Sequence, residues 1–338
     1  MSTRLALTLV GLIGAIGIGL FLVLPHDTEQ PPDGTQPIRV AFDTWLGYSS
    51  FFLAKELGFY EERGLAVEVT IINPLQEKNA AMARGDLDIM GGSFDSAVIS
   101  SNAGVPGAII YVFEKSLGND ALVVDDEIAS AGDLRNRRIA VEVGYVSHLF
   151  LLNFLDQSGL KVGDVEIVPL SPEDGVAAFL SGNVQAVALY EPFLSRALAK
   201  PSAKTLITSR SMDPLFCGTA YASKRMLDEQ PDRLKSFVQA LQEANDYWRN
   251  NPLEGNELVA KFWDLPKEEV EAITINTELF SMEDQERFFG DEESEGLLPG
   301  YVRQVAQLWA QVGVVPSNYP TEDLVDPRFA RALFSEQR

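Results

Sequence analysis

Four short segments of the sequence combine small residues, hydroxyl groups and aromatic rings, and each directly follows a run typical of a β-strand. The segments are Asp43–Tyr48, Gly91–Asp95, Gly144–His148 and Tyr190–Pro192. In open parallel sheets, ligands bind at the carboxyl ends of the strands, where helix N-termini point towards them. None of the segments contains Lys or Arg, so an anion held there would depend on backbone N–H groups and hydroxyls. We therefore treat the four segments as candidate ligand contacts.

Aromatic and hydroxyl side chains in these segments each have two interpretations. The rings either line a pocket or fill interfaces between elements, and they belong to Trp45, Tyr48, Phe94, Tyr145 and Tyr190. Ser147 directly precedes a predicted helix, so its hydroxyl either caps that helix or helps to hold an anionic group of a ligand. His148 is either a packed or capping histidine or a ligand contact.

Carboxylates gather near the same positions, at Asp43, Asp95, Asp120 and Glu191. Each is either an N-cap or loop carboxylate, or the partner of an amine or an N–H-rich ring on a ligand. Glu191 is the strongest candidate for a ligand contact, because Pro192 fixes the turn directly after the strand.

Motifs of catalysis and of cofactor binding are absent from the sequence. There is no G-x-S-x-G elbow, no Walker loop and no H-E-x-x-H motif. The single cysteine, Cys217, excludes intramolecular disulfides and cysteine-cluster metal sites. Two histidines, His26 and His148, are too few for a His-rich metal site. We expect no catalytic residue, no metal site and no cofactor.

The strands that must position these residues form two similar sets. Strand-like runs at Ile38–Phe42, Val67–Ile72 and Leu87–Met90 alternate with helical segments, which is the βαβαβ pattern of a parallel sheet. The same order of elements recurs over residues 139–189. Four residues recur at one offset (144 − 47 = 97), as the pairs Gly47/Gly144, Tyr48/Tyr145, Ser50/Ser147 and Gly85/Gly182. The repeat predicts two α/β lobes.

Two extended runs, Ala121–Val124 and Gly218–Ala222, lie where the chain would pass between the lobes. Two crossings mean that the first lobe is built from both ends of the chain. We place the first lobe at residues 38–123 and 222–338, and the second lobe at residues 124–221. Apolar residues at helical spacing predict a helix over Pro231–Trp248.

A hydrophobic segment precedes the lobes. Leu5–Leu24 is a run of twenty residues without a charge, and as a helix it would span about 30 Å, the thickness of a bilayer's hydrocarbon core. Arg4 precedes the run, which is the bias that keeps this end cytoplasmic. No small-x-small cleavage site follows, so we favour an inner-membrane anchor or uncleaved signal at residues 1–25 over a cleaved signal peptide. Residues 26–37 are typical of a linker.

The charge of the chain narrows the classes of ligand. There are 27 Lys+Arg against 49 Asp+Glu, and the formal net charge is −22 at pH 7. Such a charge repels the phosphate backbone and excludes non-specific nucleic-acid binding. The field of the whole protein does not attract an anionic solute either. It therefore favours a zwitterionic or amine-bearing ligand over a simple inorganic anion.

Several segments resemble the substrate-binding proteins of ABC importers for nitrate, aliphatic sulfonates, taurine and thiamine-precursor pyrimidines. They are Ile38–Ala41, Trp45–Tyr48, Ala54–Leu65, Gly85–Asp88, Gly144 with Ser147–Leu149, and Tyr190–Phe193, and the resemblance covers roughly residues 38–248. It implies a type II periplasmic binding protein fold, in which two α/β lobes joined by two crossings trap the ligand between them.

The resemblance also implies where a ligand is contacted. In this family, contacts fall on Trp45–Tyr48 (which includes Gly47), Ser93–Asp95, Asn119–Asp120, Tyr145–His148 and Glu191. Two departures from the family pattern matter. Relatives that make the thiamine pyrimidine use a cysteine-rich motif, whereas this chain has one cysteine. Nitrate-type members would place a basic residue in the pocket, and these segments contain none.

We therefore expect a monomeric, extracytoplasmic solute-binding component of an ABC importer. It would bind a small organic ligand, sulfonate- or taurine-like, between the lobes and deliver it to a permease and its ATPase, with no nucleic-acid partner. One alternative is a thiamine-precursor pyrimidine as ligand, or an enzyme acting on such a precursor with His148 and Glu191 as acid–base candidates. Another alternative is a membrane-anchored sensor lobe.

Overall fold

Strands and helices alternate along the chain as far as Ser223, and helices dominate after it. The computed structural model describes residues 36–212, 215–291 and 293–335. Its strands are β1 (Ile38–Phe42), β2 (Val67–Ile71), β3 (Ile89–Ser93), β4 (Gly107–Ser116), β5 (Asp120–Asp125), β6 (Arg138–Val141), β7 (Glu166–Pro169), β8 (Ala186–Tyr190), β9 (Ala203–Thr208), β10 (Cys217–Ser223) and β11 (Thr277–Leu279). Its α-helices are α1 (Ser50–Glu56), α2 (Leu75–Arg84), α3 (Phe94–Asn102), α4 (Val146–Gln157), α5 (Pro172–Leu180), α6 (Phe193–Ala197), α7 (Lys224–Glu229), α8 (Pro231–Asn250), α9 (Pro252–Trp263), α10 (Lys267–Thr274), α11 (Met282–Phe289), α12 (Leu298–Gln311) and α13 (Pro327–Ser335).

The strands form two mixed sheets. Their orders are β11-β4-β10-β3-β1-β2 in the first sheet and β7-β6-β8-β5-β9 in the second. In the first sheet, β1 pairs in parallel with β2 and β3, whereas β10 runs antiparallel to both β3 and β4. In the second sheet, β6 pairs in parallel with β7 and β8, whereas β5 runs antiparallel to β8 and β9. The predicted βαβαβ order is confirmed in both sheets, but neither sheet is purely parallel. The strand after each crossing enters from the other sheet and runs in the opposite direction.

The chain passes between the two sheets twice, first between Ser116 and Asp120 and again between Thr208 and Cys217. The runs predicted to be the crossings, Ala121–Val124 and Gly218–Ala222, are paired strands inside β5 and β10. The sheets therefore divide the chain a few residues earlier, in each case, than the lobe limits of 123/124 and 221/222. An extended run has the same residue pattern whether it pairs in a sheet or bridges two sheets. Both ends of the described chain do contribute to the first sheet.

The centre of the first sheet is apolar on both faces. Residues 108–113 of β4 are all between 0% and 2% exposed. Helix α8 packs against this region, and Leu234, Phe237, Leu241 and Trp248 recur on its buried face at spacings of three, four and seven. The helix predicted over Pro231–Trp248 is confirmed, and its proline stands in the first turn, where a missing N–H leaves no hydrogen bond unmade.

Helix α12 lies against both lobes. It packs on α3 of the first lobe and on α4 of the second. The indole of Trp309 meets the imidazole of His148 edge to face, with ring centroids 5.4 Å apart. Gln304 Nε2 donates to Asn153 Oδ1 at 3.4 Å. The C-terminal segment therefore connects the lobes a third time, through packing instead of through the backbone.

The predicted hydrophobic helix of residues 1–25 lies outside the described residues, as does nearly all of the predicted linker. In the described part of the chain, none of the helices has both the length and the apolar character that a membrane span requires.

Candidate functional site

A cavity of about 590 Å³ opens between the two sheets and is lined by residues of both lobes. The loop after β1, the start of α3 and the end of β4 contribute from the first lobe, together with α9 and α10. The loops after β6, β7 and β8 contribute from the second lobe. The carboxyl ends of β1, β3, β6 and β8 all border the cavity, where ligands of parallel sheets bind.

Seven of the residues predicted as ligand contacts line this cavity, namely Trp45, Tyr48, Ser93, Asp95, Asp120, Tyr145 and Glu191. Tyr190 lines it as well. Five predicted residues, Gly47, Phe94, Asn119, Ser147 and His148, are not among the lining residues. The structure therefore brings the four strand-end segments together, but in three of them some residues do not reach the cavity.

Glu114, at the end of β4, is a buried carboxylate on the cavity wall. Trp45 Nε1 donates to its Oε1 at 3.0 Å, whereas its Oε2 is buried and has no hydrogen-bond partner. A Cβ atom at Gly47 would lie 2.8 Å from Glu114 Oε1, and one at Gly218 would lie 2.6 Å from it. Glycine at both positions therefore leaves the space that the carboxylate occupies.

Burial governs the electrostatics of Glu114. It raises the pKa of the carboxyl to about 8, because the charged form loses its hydration, and the charge of Asp120 raises it further. The Trp45 N–H and the backbone of Gly218 oppose this shift, because they stabilise the charged form.

Asp95 and Asp120 are two further buried carboxylates on the same wall. Burial raises the pKa of each to about 6, and like charges add to the effect: Asp43 acts on Asp95, and Asp95 acts on Asp120. The hydroxyl of Ser93 hydrogen-bonds Asp95, and the hydroxyl of Ser116 hydrogen-bonds Asp120, and both contacts favour the charged form. Neither contact brings a positive charge.

The other two predicted acids are already partnered within the protein. Asp43 Oδ2 accepts a hydrogen bond at 3.1 Å from Nζ of Lys78, a lysine that is 1% exposed and also donates to the Gly91 carbonyl. Glu191 caps helix α6, because its two oxygens accept from the backbone N–H and the hydroxyl of Ser195 at 3.1 and 2.9 Å. Glu191, which the sequence ranked first, therefore borders the cavity with both oxygens engaged.

Two of the predicted residues outside the cavity, Asn119 and Phe94, are engaged within the protein. Asn119 Nδ2 donates to the carbonyls of Ile273 and Asn276 and to Thr277 Oγ1, at 3.2, 2.9 and 2.9 Å, and so fixes the first crossing to the end of α10. Phe94 is wholly buried in the core.

Ser147 and His148 lie in the first turn of α4, covered by α12. The backbone N–H of Gly144 donates to His148 Nδ1 at 3.3 Å. Burial lowers the pKa of His148 to about 4. His148 is therefore a packed histidine, which is one of the two interpretations given above. The two acid–base candidates, His148 and Glu191, do not meet in the cavity.

Aromatic rings complete the cavity, and they are those of Trp45, Tyr48, Tyr145, Tyr190, Phe193, Phe216 and Trp263. Tyr145 also reaches across to the first lobe, where its hydroxyl donates to Gln76 Oε1 at 3.4 Å. Trp263 Nε1 donates to Ser49 Oγ at 2.9 Å, and the ring of Trp263 forms part of the cavity wall.

Glu114 and Trp263 are among the lining residues that could not be predicted as site residues from the sequence. Glu114 ends the apolar run of β4 immediately before the first crossing. The sequence does contain a signal for Glu114, because a lone carboxylate stands near the end of a buried strand, beside a crossing between the lobes. Trp263 ends helix α9, and no local pattern connects that helix to the cleft.

Comparisons with known proteins agree with this geometry. A family model described as NMT1/THI5 like matches residues 46–255. A protein of Brucella abortus (strain 2308) that bears the name of a binding protein is 24% identical over 295 residues, which cover 85% of this chain and 89% of the relative. The taurine-binding periplasmic protein of Escherichia coli (strain K12) is 27% identical over 197 residues, which cover 57% of this chain and 61% of that protein.

Among solved structures, the periplasmic aliphatic sulphonate binding protein of Escherichia coli matches with a TM-score of 0.72 at 20% sequence identity. The match covers 86% of this chain and 92% of that one. The resemblance to the substrate-binding proteins of ABC importers is thereby confirmed, and so is the two-sheet periplasmic-binding-protein-like fold. The named relatives are binding proteins, in keeping with the expectation of a non-catalytic role.

Proposed function

The chain belongs to the NMT1/THI5-like family, and from that premise we propose that it is the solute-binding component of an ABC importer. It takes up a small organic molecule in the cleft between its lobes, outside the inner membrane, and presents the closed, ligand-bound form to a permease driven by an ATPase. The protein acts as a monomer. The hydrophobic segment of residues 5–24 tethers it to the membrane.

The observation that carries this proposal is a cavity whose walls come from two sheets, between which the described chain passes in two short crossings. A ligand that touches both walls stabilises the closed arrangement through contacts that the open arrangement lacks. Trp45 on the first lobe and Tyr190 on the second are such wall residues. Each is therefore expected to contribute to affinity.

The ligand class follows from the same wall. Sulfonate- and taurine-like molecules were expected from the sequence, and relatives carry the names of taurine and sulphonate binders. Among the lining residues of the described chain there is no Lys, Arg or His, so a sulfonate would be held by uncharged donors alone. This composition supports a molecule that carries an amine, of which taurine is the zwitterionic example, over an inorganic anion.

The experiment is a thermal-shift screen of small amines, sulfonates, zwitterions and heteroaromatic acids, followed by calorimetry. We expect one molecule to bind with 1:1 stoichiometry, and both Trp45→Ala and Tyr190→Ala to weaken it. Leu253→Ala is the matched control, because that side chain is 69% exposed on α9. Binding that neither cleft variant changes would refute the cleft as the site, and a protein that binds none of these classes would refute the function.

A further inference from the structure

We propose that the transported solute is an organic cation, with an alkylammonium or amidinium group that binds between Glu114, Asp95 and Asp120. These three side chains, here called the carboxylate floor, lie on the first-lobe side and at the first crossing. The inference rests on the proposed function, because it takes the interlobe cleft to be the ligand site.

The charged side chains that line the cavity are all acidic. Eight carboxylates line the cavity: Asp43, Asp95, Glu114, Asp120, Glu142, Glu173, Glu191 and Glu269. Within the described chain, one of these carboxylates forms an ion pair: Asp43 pairs with Lys78, which is buried behind the cavity wall. In their ionised forms the remaining seven repel one another and attract a positively charged group. A sulfonate would meet this repulsion with no side-chain cation to offset it.

One oxygen of the Glu114 carboxylate lacks a hydrogen-bond partner. Glu114 is 1% exposed, and its Oε2 has no partner although its Oε1 accepts from Trp45. A buried carboxylate oxygen without a donor is unfavourable, and native proteins satisfy such atoms. An N–H group of a ligand in the cavity would supply the missing donor to the ionised carboxylate, which is the form that a cation favours.

The aromatic rings of the cavity suit an organic cation better than a hydrated metal ion. Trp45, Tyr48 and Trp263 present aromatic rings on the same side of the cleft as the floor. Aromatic faces attract ammonium and guanidinium-like groups and bury the apolar part of an organic ligand. A cavity of about 590 Å³ is within the range of small-molecule sites, on the order of 300–1,000 Å³.

Binding of a cation should be coupled to proton release. Titratable groups interact with Glu114 from several elements: Tyr48 after β1, Asp120 on β5 and Cys217 on β10. Asp95 on α3 acts in turn on Asp120. Burial raises the pKa values of Tyr48 and Cys217 well above their usual values, so both stay neutral. The three floor carboxylates are therefore the groups that release protons when a cation binds. A cation favours their ionised forms, and its affinity should rise with pH between about pH 6 and pH 8.

The test uses cadaverine and benzamidine as cations, ethanesulfonate and taurine as sulfonates, and Mg²⁺ as a metal ion, each followed by calorimetry. We expect a cation to bind and Glu114→Gln to weaken it by about 10- to 100-fold, since a hydrogen bond to a charged group is lost. Asp120→Asn should weaken it as well. The exposed Glu56→Gln on α1 is the matched control and should leave the affinity unchanged.

Wild-type protein supplies a second readout that needs no variant. An alkylammonium keeps its proton up to about pH 10, so a change in its affinity between pH 6 and 8 reports the protein. We expect the affinity to increase, by up to about tenfold per pH unit for each proton released. Protons released on binding are counted by repeating the titration in buffers of different ionisation enthalpy.

Three outcomes overturn the inference. One is a sulfonate that binds in the cleft, loses affinity as the pH rises and survives Glu114→Gln, because a neutral Glu114 would then donate to it. Another is binding of Mg²⁺ alone. Either leaves the solute-binding function standing, whereas a protein that binds no member of the panel and carries no small molecule in its native mass spectrum refutes both proposals.

Discussion

The replacement of Glu114 by Gln tests the electrostatics of the cavity in the ligand-free protein. Burial raises the pKa of this carboxyl to about 8, from 4.5 in the absence of the fold. Between these values the folded state holds a proton that the unfolded state has released. The stability that the protonated group contributes is therefore complete below pH 4.5 and is lost as the pH rises through 8.

The magnitude follows from the two pKa values. A proton held only by the folded state gives a slope of about 1.4 kcal/mol per pH unit. Between pH 5 and pH 8, the wild type should lose roughly 3 kcal/mol of unfolding free energy through Glu114. Gln resembles the neutral carboxyl in shape and cannot ionise. Glu114→Gln should therefore have about wild-type stability at pH 5 and exceed it by roughly 3 kcal/mol at pH 8.

Urea unfolding of the ligand-free protein at four pH values from 5 to 8 measures this difference. Asp95 and Asp120, whose pKa values are raised to about 6, contribute a slope of the same sign that ends near pH 7 in both proteins. The decisive interval is therefore pH 7 to 8, where only Glu114 should distinguish them. Parallel stability profiles over that interval would show that Glu114 is ionised in the free protein and would refute the reasoning.

Three further predictions concern contacts outside the cavity. Trp309→Ala should lower the unfolding free energy by about 3–5 kcal/mol, because it empties a fully buried site. The control Leu253→Ala, at an exposed position, should change it by less than about 0.5 kcal/mol. Similar losses for both variants in urea unfolding would contradict the packing of α12. Asn119→Ala should cost about 1–3 kcal/mol, because the carbonyls at the end of α10 lose their donor, and an unchanged urea midpoint would contradict these hydrogen bonds. The His148 imidazole, with its pKa lowered to about 4 by burial, should show no NMR titration between pH 5.5 and 8. A midpoint near 6.5 would place that ring in water.

The two-lobe architecture could be predicted because its signals are local. Each lobe repeats strand, helix, strand, helix, strand, and the helices end at glycines in equivalent positions. Gly85 and Gly182 both have φ of 76°, in the left-handed region that glycine adopts without strain. In the pair Gly47/Gly144, the two positions require glycine for different reasons. Gly144 has φ of 89°, whereas Gly47 is a glycine because a side chain would collide with Trp45 and Glu114.

The limits of the lobes, and the burial of Ser147 and His148 at the start of α4, could not be predicted because the contacts that decide them are not local in sequence. Strands β5 and β10 look like linkers until their partners are known. Ser147 and His148 occupy the expected place after β6, but α12 packs on their helix, and its Trp309, which contacts His148, lies 309 − 148 = 161 residues further along the chain. A contact at that separation leaves no trace in the pattern of either segment.

The charge of the whole chain and the charge of the cavity act at different ranges on the same ligand. The net −22 sets a field that extends about one Debye length, roughly 8 Å at physiological ionic strength, and so acts on the rate of encounter. The carboxylate floor acts after the lobes close, where water is excluded and the same charges interact more strongly. An anionic solute would be disfavoured at both stages, whereas a cation is attracted at both. Added salt should therefore slow the association of a cation more than it speeds its dissociation, because only the first stage takes place in solvent.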